Sequence, residues 1–381
     1  TYRWYVNVTD GTHWTREIFE FQTGFPTNFD PFTFGWQYRK QITIDHTQVT
    51  GDLVNFTVLL STIDPDLIKA QTDGEDILFM NSTGAAIKLH HEIEVFNQAT
   101  GALLAWVNIP SLSSVEDTAL YLYYGNPNCV DQEYPEKTWD SNYILVYHMN
   151  DLTTSIVKDS TTNNNGGTKK GANEPIQTIG KIGYAQYFDG VGDYITTNSA
   201  IALGSNPWTY ECWYKADSYG HSEDPYTDKY SEISTVQPST SVPYLCIDIS
   251  NRESKDRIRT YMDNVPSHGY SYTNALASPF DNNTRQITVV RDNANTDFKI
   301  YLNGATDYTV AGAVDTSYSI TTNKLRIGGS AYNPSRVCFE GFIDEIRVSK
   351  IVRSSQWIST SFNTQNNPED FISIGTEESG P

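Results

Sequence analysis

The chain has 381 residues and carries 46 acidic against 26 basic side chains, a formal net charge of −20. That balance argues against nucleic acid as a partner, which needs clustered Lys and Arg, and is compatible with divalent cations and a solvated surface. Aromatics are 13% of residues, charged residues only 19%, and Gly, Asn, Thr and Ser punctuate the chain throughout, which predicts an all-β, loop-rich protein of about two to three domains.

Residues 1–24 open inside an alternation. Tyr2, Trp4, Val6 and Val8 share one face, Asp10-Gly11 turns, and Trp14, Ile18 and Phe19 begin a return strand. A lone hairpin is marginal in water. This one resembles the last two strands of a fibronectin-type-III or immunoglobulin-like domain. At the other end, "IGTEESGP" reads as an exit linker over 378–381. Together the ends suggest one repeat cut from a tandem array. The hairpin would then be completed by the preceding polypeptide or by strands from another copy of the protein.

Residues 25–35 form an aromatic, Pro-rich linker. From 36 to 128, six strand-like runs spaced about ten residues apart predict a β-sandwich. "WQYRKQITID", "DGEDILFMNSTG", "HHEIEVFNQATGALLAWVNIPSL" and "DTALYLYYGNPN" resemble a domain of unknown function common in archaeal and bacterial surface proteins, often directly before a laminin-G-like domain. The resemblance implies a cell-surface location rather than a chemistry. Asn-x-Ser/Thr sequons at Asn7, Asn55, Asn81 and Asn282 fit a secreted glycoprotein. Four cysteines permit three pairings if all are oxidised.

After a linker at 129–139, residues 140–377 predict a two-sheet jelly roll. "VYHMND", "DSTTNNNGG", "YFDGVGDYI", "WTYECWYKA", "ITVVRD", "FKIYLNG" and "GFIDEIRVSK" resemble, in order, the landmarks of the concanavalin A-like, laminin-G type lectin fold. The fold class is therefore all-β, as consecutive sandwiches. Segment 218–240, long and polar, reads as an insertion that binds, makes an interface or is disordered.

Glucanases of this fold need paired carboxylates on one strand face. In "GFIDEIRVSK" strict alternation sends Asp344 and Glu345 to opposite faces, so that pair is missing. Alternation also places Asp344 with Phe342, Ile346 and Val348, where a carboxylate needs a partner. Glu92 and Glu94 share a face but read as solvated strand carboxylates. No nucleophile elbow, phosphate loop or Cys-x-x-Cys is present, so an enzyme is not expected. The resemblance implies one structural Ca²⁺ near the sandwich rim, with Asp159, Asn163, Asp189 and Asp344 as candidate ligands. The seven histidines are scattered, which argues against a transition metal.

In "WTYECWYK", Thr209, Glu211, Trp213 and Lys215 share a mixed polar and aromatic face. With Arg347 it suits either a sugar platform or a protein contact, contact being favoured. The expected function is an extracellular, non-enzymatic structural protein. It would be one repeat of a large surface protein that assembles with copies of itself into a filament, sheath or adhesive stalk. The alternative is a carbohydrate-binding adhesin or lectin module with glycans as partners. No run of about 18 apolar residues marks a membrane span.

Overall fold

A computed structural model describes the chain apart from residues 1, 10–13, 22–28, 82–86, 153–155, 171–173, 202, 204, 221–228, 237–244, 252–255, 263–268, 274–278, 311–322 and 331–336. Strands β1 (Tyr2–Thr9) and β2 (Trp14–Phe21) pair antiparallel, from Tyr2↔Phe21 to Thr9↔Trp14, in a two-stranded sheet of their own. The Asp10-Gly11 turn lies outside the described residues.

The first sandwich is built from β3 (Tyr38–Ile44), β4 (Leu53–Ile63), β5 (Leu78–Asn81), β6 (Lys88–Leu89), β7 (His91–Asn97), β8 (Ala102–Leu112) and β9 (Thr118–Tyr124). A short α1 (Pro135–Thr138) leads on to β10 (Tyr143–Tyr147), β11 (Gly167–Lys170), β12 (Ile176–Ile179), β13 (Tyr184–Asp189), β14 (Tyr194–Thr197) and β15 (Trp208–Ser218). Then come β16 (Tyr230–Val236), β17 (Leu245–Ser250), β18 (Arg257–Met262), β19 (Gly269–Tyr272), β20 (Arg285–Asp292), β21 (Asp297–Leu302), β22 (Ala305–Val310), β23 (Leu325–Ile327) and β24 (Glu340–Ser349). The chain closes with α2 (Ser355–Asn366), α3 (Pro368–Phe371), β25 (Ile372–Ile374) and β26 (Glu378–Ser379).

Four sheets stack in layers. In the first sandwich, β25-β3-β9-β5-β6 faces β4-β8-β7. In the second, β12-β13-β24-β15-β20-β21-β22, with β10 joined to β24, faces β11-β14-β23-β16-β17-β18-β19. Period-two alternation builds both cores. On β15, Tyr210, Cys212 and Tyr214 enter the core of the second sandwich, and Trp213 points out toward the first.

The C-terminus departs from the expected boundaries. Residues 355–379 are not the end of the second sandwich followed by a linker. Ser354 caps α2 by accepting from Trp357 N–H. That helix wedges between the sandwiches. Thr360 and Thr364 hydroxyl oxygens accept from the amides of Thr50 and Leu59 on the first sandwich. Gly304 (φ +75°) brings the backbone against Phe362 on the other side, where a Cβ would stand 2.6 Å from the Phe362 Cβ. β25 then pairs with β3 (Ile372↔Ile44) and β26 follows (Ser379↔Tyr38), covering an edge that would otherwise be open.

Segment 218–240 also differs from expectation. It contains β16, whose Ser231–Val236 side chains are buried between β23 and β17; residues 221–228 and 237–240 lie outside the described set. All four cysteines are free thiols.

On β16, burial and then Asp248 push the Glu232 carboxyl up to about 8, against Arg259, which lowers it. A raised folded value means that its stabilising contribution is present below the ordinary value of 4.5 and is lost as pH rises through about 8. Stability from urea titrations is therefore expected to fall across that window, with Glu232→Gln flattening the slope. An unchanged slope in the variant would refute the assignment.

Candidate functional site: a buried acidic seam

Where β4-β8-β7 meets the eight-stranded sheet, charged side chains are sealed between aromatic rings. Two bulges create the arrangement. Along β24, Arg347 lies opposite Glu211 and Asp344 opposite Trp213, so two residues on β24, Glu345 and Ile346, match one on β15, Cys212. The extra residue is Glu345, in the left-handed region at φ +49°. Ile343, Ile346 and Val348 consequently face the sandwich core, and Asp344, Glu345 and Arg347 all face the seam. This corrects the strict alternation expected for that strand. A second register shift, between Ile93 and Val95 on β7, accommodates Glu94.

His148, directly after β10, stands at the centre. Its Nδ1 lies 2.8 Å from Glu345 Oε1 and 3.6 Å from Glu94 Oε2, and its Nε2 lies 3.2 Å from Glu92 Oε2. Glu92 also accepts from Ser160 Oγ (2.6 Å) and Trp139 Nε1 (3.0 Å). Glu94 Oε2 accepts from Trp106 Nε1 at 3.1 Å. Arg347 donates to Glu345 Oε2 at 2.6 Å, stands 3.6 Å from Glu211, and has its guanidinium over the Trp106 and Trp139 rings at 4.3 and 4.7 Å. Helix α2 closes the rim: Ser361 donates to Glu211 Oε2 at 3.5 Å, and Trp213 Nε1 donates to Gln365 Oε1 at 2.7 Å.

The electrostatics split these carboxyls into two states. Burial alone would raise Glu92, but His148 and its hydrogen bonds hold it down at about 2. Burial also opposes ionisation of Glu345, and His148 and Arg347 outweigh it. Glu94, buried and facing Glu345, is pushed up to about 8. Burial, followed by Glu345 and Glu94, raises Asp344 well above the usual carboxyl range. Burial would depress His148, but Glu345 and Glu92 raise it well above its ordinary value. The imidazolium form lets both ring nitrogens donate.

The residues singled out from sequence do not come together as a ligand platform. Trp213, Glu211 and Arg347 are 1%, 4% and 2% exposed and belong to the seam, so a sugar cannot stack there in this arrangement. Lys215 remains at the edge, 3.7 Å from Asp217. "SAYNPSR" and "SHGYSYTN" carry tyrosines that suit an exposed sugar contact by sequence, and their side chains lie outside the described residues.

The four expected calcium ligands are not gathered at one point: Asp159 and Asn163 share a loop through Thr161, and Asp189 and Asp344 have partners elsewhere. Asp159 is a loop anchor whose two oxygens accept from the amides of Val146, Thr161 and Asn165 and from the Thr161 hydroxyl. Exposed Asn163 donates to Ile144 O, and Asp189 accepts from Val191 N–H within its hairpin. Asp344 Oδ2 accepts from the amides of Lys181 and Ile182 at 2.8 and 2.9 Å. Donors around Asp159 satisfy it without an ion.

Of the sequons, Asn55 and Asn282 are exposed and Asn81 is half-buried, while the Asn7 side chain lies outside the described set. Glu92 and Glu94 are not solvated, contrary to expectation: their side chains are 5% and 0% exposed. Sequence reasoning missed His148 altogether. The sole sign was its place in "VYHMND", directly after a strand. Beside the seam, Asn55, Trp139, Asp140, Tyr143, Arg353 and Trp357 help to line a cleft of about 610 Å³.

Residues 188–359 match the concanavalin A-like lectin/glucanases superfamily, and residues 73–164 match a domain of unknown function, DUF2341. The seam joins the two: Glu92, Glu94, Trp106, Trp139, His148 and Ser160 come from one matched segment, and Glu211, Glu345 and Arg347 from the other. No curated protein shows significant similarity to the chain.

Among solved structures, domain 4 of AbnA, an extracellular arabinanase from Geobacillus stearothermophilus in complex with arabinotriose, is 17% identical over 58% of this chain and 98% of its own (TM-score 0.42). The binding domain of Paraclostridial Mosquitocidal Protein 1 is 12% identical, with 58% and 52% covered (TM-score 0.43). The Ruminococcus gnavus IT-sialidase CBM40 bound to α2,3 sialyllactose is 13% identical, with 49% and 98% covered (TM-score 0.36). At these scores the likenesses carry no functional argument.

Proposed function

We propose, for a chain that belongs through residues 188–359 to the concanavalin A-like lectin/glucanases superfamily, a non-enzymatic role as a rigid double-sandwich unit of an extracellular protein. One observation carries this reading: the hydrophobic core of the first sandwich runs on without a break into Trp139, Tyr143, Val146, Trp213 and Trp357 beyond it. A rigid spacer benefits from such a joint, because domains linked by small polar interfaces move independently.

Calorimetry of the full chain is expected to show one cooperative transition for both sandwiches. Truncation after Ser354, which removes α2 and β25, should unfold both together. Two well-separated transitions, or a truncated chain with either sandwich intact, would overturn the reading. Assembly with further copies is supported by the separate sheet β1–β2. It predicts that deleting residues 1–24 abolishes filaments in electron micrographs of the native protein.

Carbohydrate binding is the second reading, favoured by the cleft beside the seam. There Arg353 spans Asp140 (2.6 Å) and has its guanidinium 4.0 Å from the centre of the Trp357 ring, next to Asn55. A glycan array tests it, with Asp140→Ala as control. Binding that this variant leaves intact would exclude the cleft.

A further inference from the structure

We propose that His148, Glu94 and Glu345 form a binding site for a divalent transition-metal ion of the zinc type, buried in the seam. One ligand atom from each residue lies within 4.8 Å of the others. Bonds of about 2.0–2.2 Å put tetrahedral ligand atoms about 3.3–3.6 Å apart. Nδ1 to Glu94 Oε2, at 3.6 Å, already fits, and the 2.8 Å hydrogen bond from Nδ1 to Glu345 Oε1 opens slightly as the ion replaces its proton. The second observation is independent of that clustering. The Glu94 side chain has no solvent exposure, yet its Oε1 accepts no hydrogen bond. A buried carboxylate oxygen without a partner is unfavourable, and a cation held by this carboxylate, whose Oε2 stands 3.6 Å from His148 Nδ1, would offset that cost.

The outer shell is already in place. His148 Nε2 faces Glu92, Glu345 Oε2 is held by Arg347, and Glu94 Oε2 is held by Trp106. His148 and Glu345 thus each have one polar atom tied down and the other facing the ion, and the Trp106 indole orients the Glu94 carboxylate, the arrangement that orients metal ligands and fixes the imidazole tautomer. Without the ion, Nδ1 is hydrogen-bonded to Glu345 Oε1; with Nε2–H still donating to Glu92, release of the Nδ1 proton frees that atom for the ion. One imidazole with two carboxylates suits zinc or manganese, whereas calcium takes oxygen ligands only. The ion would tie β7, the end of β10 and β24 together, joining the two sandwiches. Scattered histidines had argued against such an ion, but this site needs only one. Its carboxylates lie far away in sequence, Glu345 being 197 residues from His148.

The test uses the full chain, refolded from denaturant with Zn²⁺, Mn²⁺ or Ca²⁺ so that the closed seam does not bar entry. Metal retained after gel filtration is measured by mass spectrometry, in a His46→Ala background that removes the exposed Asp45–His46–Asp117 group. Expected is about one zinc or manganese ion per chain with a raised melting temperature, and none in Glu94→Gln. If Glu94→Gln does not fold, Co²⁺ in the His46→Ala protein provides the readout, as a visible absorption band abolished by zinc. Retention of calcium alone, of no ion, or of zinc by a folded Glu94→Gln would overturn the proposal. So would absence of the cobalt band.

Discussion

Arg347→Ala is expected to remove about 3–5 kcal/mol of stability, the usual effect of breaking a buried ion pair from one side. The guanidinium is the cation shared by Glu345 and Glu211, and it fills the space over Trp106 and Trp139. Its removal leaves two carboxyls facing each other in a dry seam. Arg347→Met separates charge from packing, because it keeps most of the apolar volume. It should lose nearly as much as the alanine variant, and adding Glu345→Gln should restore part of the loss. Urea denaturation followed by tryptophan fluorescence measures all three. A loss under about 1 kcal/mol in Arg347→Ala would mean that the seam is far wetter than its 2% exposure implies.

The second large effect belongs to Trp213. It is fully buried, stacked on Phe362 with ring centres 5.6 Å apart, and hydrogen-bonded to Gln365 of α2. Trp213→Ala should cost about 3–5 kcal/mol through the cavity it leaves. Trp213→Phe keeps much of the packing but strands the Gln365 oxygen, and about 1–3 kcal/mol is expected. The graded loss should appear in thermal melts of the whole chain. Glycan affinity of the folded fraction should not change in either variant. A selective loss of glycan binding in Trp213→Phe at unaltered stability would return this residue to a ligand platform.

Strand positions were legible from sequence because alternation and turn chemistry are local. The runs at Tyr38–Ile44, Thr118–Tyr124, Arg285–Asp292 and Asp297–Leu302 fall where periodicity put them. β16 and β22 were missed because their Ser, Thr and Asp residues dilute the apolar pattern. Helix α2 was missed because "SQWISTSFNTQN" has weak helix formers and no clean apolar stripe. Its burial comes from two surfaces on opposite sides, not from one amphipathic face.

Local pattern predicts consecutive sandwiches in their order, and the likeness of each to a family rests on its motifs. The seam was left to tertiary structure. One inserted residue at Glu345 reverses which side chains face it, and a bulge leaves almost no trace in composition. Whether Glu92 and Glu94 meet water or His148 depends on a partner surface more than 50 residues away in the chain, brought there only by folding. Periodicity tells which residues share a face. What that face is pressed against is settled by long-range packing, and here that decided the candidate site.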